Sequence, residues 1–223
     1  MRQLTRLLGL DPSRISHLMA NLGERGLTSM HETKIEMNAN QRISLAERLI
    51  RRGYDPRKVS RYLDWQEFEE FASNLLERNG FRTLRHLVFK ARKGRREIDL
   101  LAWNDTFFLA IDCKHWMRGL SRSRLREVAR DQIQRSVALA ERQDILFNRC
   151  GGKIKPRSLR PVILVLSEPP ERTVEGVPVV SISKLISFLY GISPVDTCFH
   201  AISVNGWAES LPEVSKARSR PKY

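Results

Sequence analysis

The stretch EIDLLAWNDTFFLAIDCKHW, Glu97 to Trp116, constrains the fold more than any other part of the chain. Two apolar runs, IDLLAW and FFLAIDCK, flank a polar turn at Asn104-Asp105-Thr106 and so read as an antiparallel hairpin. Side chains alternate across a strand, which places Asp112 and Lys114 on one face with Phe108 and Ala110, and Ile111 and Cys113 on the other. A two-residue turn at Asn104-Asp105 would pair Asp99 with Ala110, diagonal to Asp112; a four-residue loop through Phe107 would pair Asp99 with Asp112 itself. Either register brings two carboxylates together, which is unfavourable unless positive charge lies between them. A divalent metal ion supplies that charge. The plain alternative is a solvated edge strand with an Asp112–Lys114 ion pair, worth well under about 1 kcal/mol. It leaves Asp99 unexplained.

A third acid comes from the preceding segment, DWQEFEEFASNLLERNG, which reads as a helix beginning near Trp65. Glu69 falls in line with Trp65, Ala72 and Leu76, the face turned to the core, whereas Glu70 groups with Ser73, Asn74 and Glu77 on the polar side. Glu69 is therefore the acid expected to lean over the sheet toward Asp99 and Asp112. Beyond the hairpin come a basic helical stretch from about Ser121 to Gln143, a strand PVILVLS, and a final strand and helix in VPVVSISKLISFLYG.

A helix glutamate, then REIDLLA with Asp99, then IDCKHW with Asp112 and Lys114, resembles the PD-(D/E)xK nuclease superfamily. EFEEFASNLLERNGF is most similar to Mrr-type restriction endonucleases and archaeal Holliday-junction resolvases. The resemblance covers roughly residues 65 to 190, and departs from the pattern in having Ile98 where the family name has proline and His115-Trp116 after the lysine. It implies a restriction-endonuclease-like α/β fold, a mixed β-sheet flanked by helices, and a metal-dependent DNA endonuclease. Its metal, Mg²⁺ or Mn²⁺, would be held by Glu69, Asp99, Asp112 and the backbone carbonyl of Cys113. Lys114 would orient the attacking water and stabilise charge on the phosphate. Gln132, on the following helix, matches a glutamine often found near such sites and joins the catalytic candidates.

The first 60 residues read differently. A helix carrying Leu4, Leu7 and Leu8, a second helix restarted at Asp11-Pro12-Ser13, two short strands around a His31 to Thr33 turn, and a helix in ISLAERLIRRG resemble a winged helix-turn-helix. Ser13 to Arg25 would take the place of the recognition helix, offering Arg14 and His17. The helix that usually precedes the pair is absent, and a small helical packing or dimerisation domain is the alternative. We therefore expect a DNA-binding module over 1–60, a nuclease domain over 61–192 and a basic, flexible tail over 193–223.

Charge supports a polyanionic partner. The chain of 223 residues carries 39 Lys and Arg against 25 Asp and Glu, a formal net charge of +14. The loop KARKGRRE offers Lys90, Arg92, Lys93, Arg95 and Arg96 on one side of the acidic cluster, and Arg118, Arg122 and Arg124 lie on the other. Together they suit a groove that tracks phosphates. Cutting both strands from a subunit with one site would need two copies, so a homodimer is expected. The three cysteines, Cys113, Cys150 and Cys198, form no C-x-x-C pair, which argues against zinc and for a reducing cytoplasm. CGGKIKP lacks the phosphate-loop spacing, so no nucleotide cofactor is expected, and no apolar run is long enough to span a membrane. A non-catalytic DNA-binding protein is the alternative function, and RNA the weaker alternative substrate.

Overall fold

The structure is a computed structural model that describes residues 11–31, 34–106, 108–115, 121–150, 158–193 and 199–204. It opens with helix α1 (Pro12–Glu24), a hairpin of β1 (Ser29–His31) and β2 (Lys34–Glu36), and helices α2 (Ala39–Arg51) and α3 (Pro56–Ser60). Local chemistry sets the starts of these helices. Asp11 accepts the amide of Ser13 at 2.7 Å ahead of Pro12, and Asn38 and Gln41 form a reciprocal capping box. Asp64 and Glu67 form a second box at the start of α4 (Trp65–Arg78).

The sheet follows: β3 (Arg82–Lys90), β4 (Arg95–Trp103), β5 (Phe108–Lys114), then helices α5 (Arg122–Ala140) and α6 (Gln143–Arg149), and strands β6 (Ser158–Val165), β7 (Thr173–Val174) and β8 (Val177–Ser181). A helical turn leads into α7 (Leu185–Gly191), and β9 (Ile202–Ser203) ends the described chain. The strand order is β3-β4-β5-β6-β8-β7, with β9 paired to β6. Strands β3, β4 and β5 run antiparallel, β5, β6 and β8 parallel. This is the expected mixed sheet flanked by helices.

The sheet is covered on both faces, which is why β5 and β6 are nearly continuous apolar runs rather than alternating ones. On one face Leu100, Ala102, Leu109, Ile111 and Cys113 pack with Phe68, Phe71 and Leu76 of α4. On the other, Leu101, Trp103, Phe108 and Ala110 meet Leu139 of α5 and Leu146 of α6. The alternation expected of β5 is therefore realised.

Three features bear on the expected organisation. Packing runs straight across residue 60: Ile43 and Ala46 of α2 and Val59 of α3 share the core of Phe68 and Phe71. Arg42 pairs with the buried Glu67, and Glu47 accepts from Asn74 and pairs with Arg78, so α2 is clamped to α4. Next, KARKGRRE is not an open loop. Its ends are paired strand, Lys90 with Arg95 and Phe89 with Arg96, and Gly94 at φ +77° allows a tight turn that a side chain would strain. Finally, the expected tail returns to the sheet at β9, because Ile202 and Val204 are apolar and find cover against the α5 face. Helix α1 and the β1–β2 hairpin occupy residues read as a helix and two short strands in the sequence, while the helix expected over residues 4–8 falls outside the described residues.

Among the described residues no helix is long and apolar enough to cross a membrane. Leu109 is fully buried between β4 and β6. Leu109→Ala should lower the unfolding free energy by about 2–5 kcal/mol, read by urea denaturation with an unchanged m value.

Candidate active site

Strands β4 and β5 pair regularly from Trp103↔Phe108 to Leu100↔Ile111, and there the ladder stops. The connection is the longer of the two considered, residues 104–107, so one further step sets Asp99 opposite Asp112. Beyond that point the Cys113 amide donates not to a backbone carbonyl of β4 but to Oδ2 of Asp99, at 2.9 Å. The pairing of the strands thus ends in a carboxylate.

Asp112 has no exposed surface. The Nζ atom of Lys114 lies 2.9 Å from its Oδ1 and 2.8 Å from Oδ2, and a guanidinium nitrogen of Arg135 donates to Oδ1. Burial and then the charge of Asp112 raise Asp99 above the usual carboxylate range. Glu69, on the buried side of α4, is pushed up to about 7, first by burial, then by Asp99 and Glu97. Glu69 therefore feels Asp99, and Asp99 feels Asp112, across the end of the β4–β5 pair. The same negative field, added to burial, holds the Cys113 thiol protonated.

The facing of β3 explains how Glu69 meets this cluster. Leu84, Leu87 and Phe89 all pack on the α5 side, as do Ile98 and Leu101, yet residues three apart cannot share a face of a regular strand. The strand pair changes phase at the one position its register skips, His86 against Asp99. His86 sits at φ +52°, a left-handed conformation costly outside glycine and characteristic of functional sites. That turn carries its ring to α4, where Nε2 lies 3.4 Å from Oε2 of Glu69, Nδ1 lies 3.3 Å from Glu97, and Trp65 stacks edge-on.

Other expectations meet the geometry unevenly. Gln132 is buried, but its amide donates at 2.7 Å to the Ala110 carbonyl, tying α5 to β5. The α5 residue that reaches an acid is Arg135, one turn further on. The spacing of three between them was the available signal, since such residues share a helix face. Trp65, expected inward, is 56% exposed, while Glu67 is buried as a cap and as the partner of Arg42. His115 bridges to the Ser60 carbonyl at 3.0 Å and packs on Phe68, so the unusual residue after the lysine anchors the end of β5 to α3. Arg14, His17, Lys90, Arg92, Lys93, Arg95, Arg96, Arg122 and Arg124 are exposed. Arg92, Arg122 and Arg124 are paired with Glu141, Glu171 and Glu127. Arg118 lies outside the described residues.

Among the described residues no three His, Cys, Asp or Glu side chains are arranged to hold a metal ion. Asp112 is occupied by Lys114 and Arg135, and Glu69 faces His86. The donor set nevertheless suits a hard divalent cation: all three acids offer oxygen, two are raised by burial and by neighbouring acids, and the buried Oε2 of Glu69 accepts no hydrogen bond.

The shift of Glu69 sets a pH dependence. An acid raised in the folded state contributes stability that is complete below its ordinary value of 4.5 and lost as pH rises through about 7. In chelator, wild type should lose stability relative to Glu69→Gln between those pH values. Urea unfolding of both proteins across this window measures it, and parallel curves would contradict the assignment.

Comparison with known proteins locates the cluster. Residues 60–144 match the family model Mrr_cat, described as restriction endonuclease. No curated protein matches the chain. Among solved structures, the crystal structure of a protein of unknown function, AF1548, is similar at 19% identity with a TM-score of 0.32, over 58% of this chain and 55% of that one. The matched segment runs from the last residue of α3 through α5 and contains Glu69, Asp99, Asp112 and Lys114. Residues 60–144 are thus a restriction-endonuclease domain, consistent with a PD-(D/E)xK nuclease core.

Proposed function

We propose that the chain is a metal-dependent DNA endonuclease that hydrolyses phosphodiester bonds. The observation that supports this reading is the run of neighbouring acids, Asp99 acting on Glu69 and lying beside Asp112 with Lys114, at the point where two core strands part. These acids, with the carbonyl of Cys113, are the residues that would hold Mg²⁺ or Mn²⁺. When bound, the ion would polarise the phosphate and acidify a water. Lys114, whose side chain is 24% exposed, keeps its ammonium at the rim of the site, where it stabilises negative charge growing on the phosphate oxygens. Asp112 and Arg135 hold that end of β5 in place.

The exposed cations of the β3–β4 hairpin and of the start of α5 supply nonspecific attraction to the DNA backbone. Arg14 and His17, exposed on α1, would add DNA contacts if the N-terminal helices act as a DNA-reading module. Two copies on one duplex would cut both strands.

A second reading, a DNA-binding protein without catalysis, is favoured by one observation: Asp112 is captured by two cations. The two readings separate in a cleavage assay on labelled linear, supercoiled, forked and four-way-junction DNA with Mg²⁺ or Mn²⁺. Wild type should cut only with metal, and Asp112→Ala and Lys114→Ala should each lose on the order of a hundredfold or more in rate while still binding DNA. Metal-independent binding with no cutting of any substrate would establish the second reading.

A further inference from the structure

The tip of the β3–β4 hairpin and helix α5 enclose a cleft of about 320 Å³. Its floor is apolar, formed by Ile133, Val137 and Ala138, and Val137 stays 40% exposed there. Arg92 and Arg96 border it from the hairpin, and Gln134 presents a side-chain amide at its edge. An aliphatic floor under guanidinium groups is an odd combination for a surface that only attracts phosphates. Phosphate needs charge and donors, and gains nothing from a valine.

The cleft is also preformed. The turn is closed by the amide of Ala91 donating to the Gly94 carbonyl at 2.9 Å. Arg142, just past α5, donates to the Lys90 carbonyl, and Arg92 reaches Glu141 at 3.3 Å, so the hairpin is clasped to the end of the helix. Lys93 and Arg96 have no carboxylate partner among the described residues, which leaves the cleft a net positive rim.

Its position ties it to the acids through both walls. Arg96 is three residues before Asp99 on β4, about 10 Å along a strand. Gln134 directly precedes Arg135, which holds Asp112. A nucleotide lodged in the cleft would therefore belong to the same stretch of strand as a phosphate at Lys114.

We propose that this cleft is a subsite for a single unpaired nucleobase. The base would lie on Ile133 and Val137 with its face against the Arg96 guanidinium, its edge open to the Gln134 amide, and its phosphate near Lys93. Proteins hold unstacked bases between apolar side chains and against guanidinium planes, and this cleft offers both. A base inside a duplex cannot enter, so the subsite directs the protein to DNA with an unpaired nucleotide near the bound phosphate. This rests on DNA being the substrate, but not on its being cut.

The test is binding without metal, in chelator, by fluorescence anisotropy. Three labelled duplexes are compared: fully paired, with one extrahelical nucleotide, and with an extrahelical abasic sugar. Wild type should bind the bulged duplex at least fivefold more tightly than the other two. Val137→Trp, which fills the cleft from an exposed position, should abolish that preference while leaving affinity for the paired duplex unchanged, and Gln134→Ala should reduce it. Equal affinity for all three duplexes, or a preference that survives Val137→Trp, would overturn the proposal. Thermal unfolding verifies that both variants are folded. Because no cleavage is read, a protein that cuts nothing can still pass, and one that cuts every substrate can still fail.

Discussion

The hydrogen bond from the Cys113 amide to the Asp99 carboxylate is the contact on which the site depends. A strand pair ordinarily continues until its residues run out or a turn intervenes. Here it ends because a side chain takes the donor that the next ladder position would use. Asp99 is thereby fixed at the parting of the strands, opposite Asp112 and within electrostatic range of Glu69. The repulsion this creates is tolerated because the surroundings hold the group rigidly: α4 is buried on one face of the sheet and α5 on the other.

The two cations on Asp112 serve that same tolerance. A buried carboxylate without partners would be protonated or would disrupt the fold, since the cost of an unpaired charge in a core is several kcal/mol. Lys114 comes from the next residue on the same face of the strand, Arg135 from the helix above. A metal ion would compete with both for the same oxygens. In this arrangement the protein's own side chains compensate the acid.

The N-terminal helices are more than an appendage to this core. The clasp of Glu47 by Asn74 and Arg78, the Arg42–Glu67 pair and the shared packing of Ile43 and Val59 mean that α4, the helix carrying Glu69, is held from both sides. His115 adds a tie from the end of β5 to the carbonyl of Ser60. These contacts join α2 and α3 to the two elements that carry Glu69 and Lys114.

Much of this was legible in the chain. Alternation in FLAIDCK set the faces of Asp112 and Lys114, helical spacing put Glu69 inward, and Asp11-Pro12-Ser13 marked a helix start, because each of these depends on neighbours within a turn or a strand. What needed the tertiary structure depends on residues distant in sequence. Between the two hairpin registers only packing against α4 and β6 could choose. Nothing in the residue type announces that His86 takes a left-handed conformation, since that strain survives only because Trp65, Glu69 and Glu97 surround it. Gln132 and Arg135 differ by a single helical turn, and the angle at which α5 crosses the sheet determined which of them reaches Asp112. Local chemistry, then, specified the elements and the acids; long-range packing decided how those acids meet.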